Sequence, residues 1–161
     1  MEQSPGEPDV DVSGDDNFMI VYTSGTTGTA KGVLYQQRQS IIHAPVAVHY
    51  YGIDAQSRLL MVYPHNSFAS FNMFYIPAWM VGATVVLDDA RGFSAQRWLA
   101  LVEAEGITHC HLVPTMLFRV LEYEGLDGID LSSLQTIGYG SAPMPRERVE
   151  RLSQVFGNIL V

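Results

Sequence analysis

The sequence contains a single cysteine, Cys110, in 161 residues, so no disulfide can close within the chain. That usage fits a reducing compartment, and the expected location is cytoplasmic. Positive charge is also scarce: 9 Lys and Arg stand against 17 Asp and Glu, a formal charge of −8. Nonspecific nucleic-acid binding depends on cationic neutralisation of phosphate, so nucleic acid is not an expected partner. No apolar stretch reaches the roughly 20 residues needed to span a bilayer, which leaves only peripheral association with membranes. Met1 to Asp16 is acidic and rich in Pro and Gly, without the basic-then-apolar order of a secretory signal. Internal repeats and low-complexity tracts are absent. What remains is 47% apolar and 16% charged, the balance of a globular chain with a real core.

Residues 1–17 read as a flexible acidic leader. Phe18–Val21 and Val33–Tyr35 read as a hairpin-like pair of strands, and Gln39–Tyr51 as a helix that Gly52 ends. From there strands and helices alternate. Leu59–Val62, Ala83–Leu87, Ile107–Val113 and Gln135–Tyr139 are the strands, and Ile159–Val161 begins another. Phe68–Val81 reads as a buried helix that Pro77 kinks or interrupts. Ser94 caps a helix to Glu105, closed by Gly106, with Trp98, Leu101, Val102 and Glu105 on one face. Further helices are expected from Thr115 to about Glu124 and from Pro145 to Phe156. Such alternation implies an α/β fold with a mostly parallel, doubly wound sheet and helices on both faces. Ligands on such sheets collect at strand carboxyl ends, here the loops after Val62, Val113 and Tyr139.

The chemistry concentrates between the first two strands, in Tyr22-Thr23-Ser24-Gly25-Thr26-Thr27-Gly28-Thr29-Ala30-Lys31-Gly32-Val33. Gly25 and Gly28 allow backbone angles and close approaches that a Cβ would block. Successive N–H groups in such a turn can converge on an anion. The hydroxyls of Thr23, Ser24, Thr26 and Thr27 add donors, and Lys31 adds a positive charge. This is a phosphate cradle, but not a Walker A loop: Ala30 and Gly32 occupy the positions of its second glycine and its magnesium hydroxyl. The residues after Lys31 favour a strand over a helix start, which counts against a P-loop NTPase.

This loop resembles the signature of the adenylate-forming (AMP-binding) superfamily, which includes acyl- and aryl-CoA synthetases; Ala30 replaces the usual proline. The likeness continues in Tyr63-Pro64-His65, similar to the Pro-x-x-His segment of the acyl site, and in Leu112-Val113-Pro114-Thr115. It ends with Asp130-Leu131-Ser132-Ser133-Leu134 and Gly140-Ser141-Ala142-Pro143-Met144-Pro145, the latter resembling a Gly-Gly-Ala-Pro-Leu turn. At Gln36-Gln37-Arg38 relatives often carry Ser/Thr-His-Arg.

The resemblance implies a two-step ligase using ATP, Mg2+ and CoA: a carboxylate becomes an acyl-adenylate, then a thioester. It implies that Thr23, Ser24, Gly25, Thr26, Thr27, Gly28 and Lys31 hold phosphates and that Gly140, Ser141, Ala142 and Pro143 receive adenine. It places His65 at the acyl-adenylate junction as the catalytic candidate. Phe68, Phe71, Asn72 and Phe74 are candidates for the acyl tunnel, against plain core. The spacing Leu34-Tyr35-x-x-Arg38 with His43-Ala44 resembles fatty-acid ligases most, with aryl acids the alternative. The family's magnesium glutamate, ribose aspartate and adenylation lysine have no counterpart here, so residues 18–161 read as a partial AMP-binding domain, truncated at both ends and inactive alone. A standalone nucleotide-binding module is the competing reading. No metal site is expected of His109, Cys110 and His111, because alternate residues of a strand face opposite ways. His43 and His49, on a helix, are given a structural role.

Overall fold

The computed structural model describes residues 10–23, 28–88 and 91–161. The chain divides into two compact units, Met1–Ile42 and His43–Val161.

In the first unit, β1 (Asn17–Thr23) pairs antiparallel with β2 (Lys31–Gln36), with Thr23 opposite Lys31 and Tyr22 opposite Gly32. Residues 13–16, expected to belong to a flexible leader, form a hydrogen-bonded turn. Asp16 N–H donates to the Ser13 carbonyl, and Ser13 N–H donates to Asp16 Oδ2. The turn is tied down by Arg38 N–H on the Gly14 carbonyl and by the ion pair Arg38–Asp15. α1 (Gln37–Tyr51) follows β2 directly, two residues earlier than expected.

In the second unit, β3 (Arg58–Met61), β4 (Thr84–Leu87), β5 (His109–Leu112) and β6 (Thr136–Tyr139) form a parallel sheet in the order β4-β3-β5-β6. Leu160 bridges Ile137 in parallel, so the expected last strand starts as an extension of the sheet beyond β6. Every β3 to β6 residue points to one face or the other, and the two faces build separate cores. Leu60, Cys110, Leu112 and Ile137 pack with Trp98, Leu99, Val102, Leu117 and Leu152. Leu59 and Met61 pack with Ile53, Phe74, Tyr75 and Ala78 on the other side. The first core is covered by α4 (Ala95–Glu105), α5 (Pro114–Leu121) and α6 (Arg146–Phe156).

The helix expected over 68–81 is one rod of three parts: α2 (Phe68–Ser70), a π-helical turn Phe71–Tyr75, and α3 (Ile76–Val81). Pro77 has no N–H, and its ring would crowd the carbonyl of residue 73 in a regular α-helix. The widened turn, in which Ile76 N–H reaches the Phe71 carbonyl, absorbs that conflict.

Local punctuation falls where the sequence puts it. The Ser94 hydroxyl caps α4, and Gly52, Gly82, Gly106 and Gly157 all have positive φ at helix ends. Two details differ. Leu99 rather than Leu101 is fully buried on α4, while Glu105 lies outside the core and pairs with Arg58. α5 begins at Pro114 rather than Thr115, because a proline's fixed φ and missing N–H suit the first helical position.

Candidate active site

The hairpin unit holds the phosphate-loop flanks. Thr23 and Lys31 face each other across the ladder, and the Thr23 hydroxyl reaches the Lys31 carbonyl at 3.5 Å. Gly28 has φ +81°, a conformation that disfavours any side chain. Ser24, Gly25, Thr26 and Thr27 lie outside the described residues. The chain continues from Lys31 as a strand, whereas a Walker A loop would open a helix there.

The remaining candidates lie in the sheet unit. Parallel pairing puts the ends of β3, β5 and β6 side by side, so Tyr63-Pro64-His65, Val113-Pro114-Thr115 and Gly140-Ser141-Ala142-Pro143 emerge along one edge. Ser141 is the one described residue other than glycine with positive φ, +69°. His65 is exposed, and its Nδ1 lies 2.7 Å from the Tyr75 hydroxyl. Counted from Pro64, the histidine position of a Pro-x-x-His segment falls on Ser67. The Ser67 hydroxyl caps α2 by accepting from Ser70 N–H.

An apolar groove of about 300 Å3 runs between the second half of α1 and the start of the 68–81 rod. Phe68 and Asn72 line it. Phe71 instead packs edge-on against Tyr75 and Trp79, and Phe74 belongs to the core under the sheet. The opposite wall is His43, Val46, Ala47, Tyr50 and Tyr51. These five recur at helical spacing, a signal available in the sequence once the partner of that face is known. Asn72 is 2% exposed; its Nδ2 donates to the Phe68 carbonyl while its Oδ1 has no hydrogen-bond partner.

Beneath the groove lies a layer of buried polar groups. His109 Nε2 donates to the Tyr51 carbonyl at 3.0 Å, and the Thr136 hydroxyl donates to the same oxygen at 3.1 Å. With Nε2 carrying the proton, His109 Nδ1 accepts from the Thr108 hydroxyl, 2.7 Å away. His111 Nδ1 lies 2.7 Å from the Tyr63 hydroxyl. Burial lowers the pKa of both imidazoles and raises that of Tyr63, so all three groups are neutral near pH 7. Cys110 points to the opposite core, where burial raises its thiol pKa. Among the described residues, no three His, Cys, Asp or Glu side chains converge as a metal site, and no helix is long and apolar enough to cross a membrane.

The family model for AMP-binding enzyme matches residues 1–161. The chain is 31% identical over 144 residues to feruloyl-CoA synthase from an Amycolatopsis species, covering 89% of this chain and 29% of that protein. It is 28% identical over 149 residues to the medium/long-chain-fatty-acid–CoA ligase FadD8 of Mycobacterium tuberculosis, covering 92% and 25%. The inhibitor-bound N-terminal domain of FACL13 from Mycobacterium tuberculosis superposes with a TM-score of 0.81 at 28% identity, over 94% of this chain and 37% of that one. The chain thus spans under a third of the length of these two curated relatives.

Proposed function

This chain belongs to the AMP-binding enzyme family, and from that premise we propose that it supplies phosphate- and acid-binding parts of an ATP-dependent acid–CoA ligase. In that reaction a carboxylate attacks the α-phosphate of ATP, pyrophosphate leaves, and the CoA thiol then takes the acyl group from the adenylate. Two anions must approach each other, so charge neutralisation and positioning are the main demands on the protein.

In this reading Thr23, Ser24, Gly25, Thr26, Thr27 and Gly28 hold the β- and γ-phosphates, and Lys31 is their point-charge partner. Gly140–Pro143 receives adenine and lets the acid pass. Phe68 and Asn72, with His43 and Tyr51 opposite, take the body of the acid. His65, held by Tyr75, stands near the junction of acid and adenylate, and Phe71 backs Tyr75. Magnesium, when bound, would offset triphosphate charge, with its main carboxylate ligand supplied from outside these residues. The magnesium glutamate and adenylation lysine of the family also lie outside residues 18–161, which therefore act as a partial domain. A cytoplasmic protein has both ATP and CoA at hand.

The observation that carries the reading is the apolar groove in the sheet unit, whose strand ends bear three segments resembling those of the family. Its apolar walls suit a fatty acid. An aryl acid is the second reading, favoured by the aromatic lining of Tyr50, Tyr51 and Phe68 and by the likeness to a feruloyl-CoA synthase.

Calorimetry on the 161-residue chain with ATP, octanoate and cinnamate is the test, followed by acid-dependent ATP–pyrophosphate exchange. We expect ATP and at least one acid to bind and exchange to be absent. Binding of ATP without any acid would favour a nucleotide-binding module, and robust exchange would overturn the partial-domain reading.

A further inference from the structure

α1 closes on a glycine and leaves one carbonyl over. Gly52, at φ +69°, gives its N–H to the His49 carbonyl, and Ile53 N–H reaches back to the Val48 carbonyl. These two bonds are the pair that ends a helix on a left-handed glycine, and neither uses the carbonyl of Tyr51. The sheet takes that oxygen instead. His109 Nε2, from β5, donates to it at 3.0 Å, and the Thr136 hydroxyl, from β6, donates at 3.1 Å. His109 and Thr136 are register partners, so the two donors stand side by side. The imidazole is held from behind as well. Its Nδ1 accepts from the Thr108 hydroxyl at 2.7 Å, and Thr108 Oγ1 accepts from Arg58 N–H at 2.8 Å. His109 is 3% exposed and does not line the groove, whereas Tyr50 and Tyr51, on the helix end that it holds, do.

We propose that His109 is a positioning residue of the groove, a proton-sensitive latch that fixes the carboxyl end of α1 on the sheet and so sets the wall that Tyr50 and Tyr51 form. This rests on the acid–CoA ligase reading, in which the groove holds the body of the acid. Sensitivity to pH follows from the surroundings of the ring. Asp54, after α1, is the charged group that faces it, and its attraction and the bond to Tyr51 only partly offset the effect of burial, which lowers the imidazole pKa. The Tyr51 phenol and His111 are the other titratable neighbours, while β3 and the 68–81 rod present Leu59, Met73 and Phe74. The Arg58 guanidinium turns to Glu105. When the helix end leaves the sheet, the ring regains the ordinary value of about 6.5. The released state then binds the proton better, so falling pH favours release.

Calorimetry on the 161-residue chain with octanoate, cinnamate and AMP tests the latch. Replacing both donors, by His109→Leu with Thr136→Val, should weaken acid binding about threefold to tenfold, the net effect of a lost hydrogen bond. AMP should bind as before. His109→Gln keeps an N–H at the end of the side chain and should restore most of the acid affinity. In the unaltered chain that affinity should fall between about pH 7.5 and 5.5, where both probe acids stay mostly ionised. His109→Gln cannot titrate and should flatten the profile, whereas His111→Phe should keep it. Protonation of His43, on the groove wall, would act the other way by drawing the carboxylate in. Hydrogen exchange needs no variant: protection of the Gly52 and Ile53 amides should rise when octanoate or cinnamate is added and fall at low pH.

Unchanged acid affinity in the double variant, or equal losses for acid and AMP, would overturn this proposal and leave the ligase reading standing. So would an acid affinity that holds steady or rises as pH falls, or a slope that survives in His109→Gln. If the double variant does not fold, exchange in the unaltered chain decides: protection at Gly52 and Ile53 that responds to neither acid nor pH would overturn the latch. Failure of every acid to bind would overturn both readings.

Discussion

The imidazole of His111 lies across the bare α-carbon of Gly138, its register partner between β5 and β6. A Cβ at 138 would also stand 2.8 Å from Tyr51 Cε1, so two rings close over the same point. Neither can withdraw freely, since His111 is bonded to Tyr63 and Tyr51 ends α1. Gly138→Ala should therefore destabilise the fold by about 1–3 kcal/mol, the usual cost of overpacking. Gly128→Ala is the control, because no atom lies within 4 Å of a Cβ there. Urea denaturation of both variants checks this: similar midpoints would mean that the rings have room to move.

Stability should fall as pH drops below about 6.5, the ordinary histidine value. Burial lowers the pKa of His109 and His111 in the folded chain. Between those lowered values and 6.5, the unfolded chain binds more protons, and the equilibrium shifts towards it. Burial acts oppositely on Tyr63 and Cys110, whose raised pKa values keep them neutral in the folded state. Their contribution is present below their ordinary values and is lost as pH rises above about 9. Urea midpoints from pH 5 to 10 should give a plateau with two shoulders, and His111→Phe should flatten the acid one. An acid shoulder unchanged in that variant would show that His111 does not titrate on unfolding.

Ser141 holds φ +69° immediately after the Gly140 turn. A left-handed backbone costs a side-chain-bearing residue about 1 kcal/mol relative to glycine. Ser141→Gly should accordingly raise the melting temperature by a few degrees, while Ser141→Ala should not. If neither variant is stabilised, the turn is not strained by its side chain.

Asn72 buries an oxygen that no described group satisfies. Asn72→Leu should raise stability by up to about 1 kcal/mol, since an apolar replacement removes the orphaned acceptor. The same variant should weaken binding of the acid, a trade of stability against function. A loss of stability would show instead that the bond to the Phe68 carbonyl is the larger effect.

Lys31 is the only lysine in the sequence. If it pairs with the β- and γ-phosphates, Lys31→Ala should weaken ATP binding by about 1.5–3 kcal/mol, the range for a hydrogen bond to a charged group. AMP, which lacks those phosphates, should bind almost unchanged. Equal weakening of both nucleotides in calorimetry would remove Lys31 from that role.

Much of this molecule is determined by the sequence at short range. Ser94 and Gly106 bracket α4 because a capping hydroxyl and a left-handed glycine act on the backbone next to them. The strand after Lys31 follows from Gly-Val-Leu-Tyr in the same way, and with it the exclusion of a Walker A loop. Alternation of strands and helices determined a parallel sheet, because a short crossover can return only one way. The partner of each side chain was decided by the tertiary structure. Tyr63 and His111 are 48 residues apart, and their bond depends on the register of β3 against β5. The same is true of His43, whose helix face becomes a groove wall only when the 68–81 rod lies opposite. It is true again of Phe71 and Phe74, which pack against Tyr75 and Trp79 and into the core under the sheet and not into the groove that Phe68 and Asn72 line. Helical spacing identifies a face, but a face acquires its function from what packs against it, and that information lies outside any local stretch of sequence.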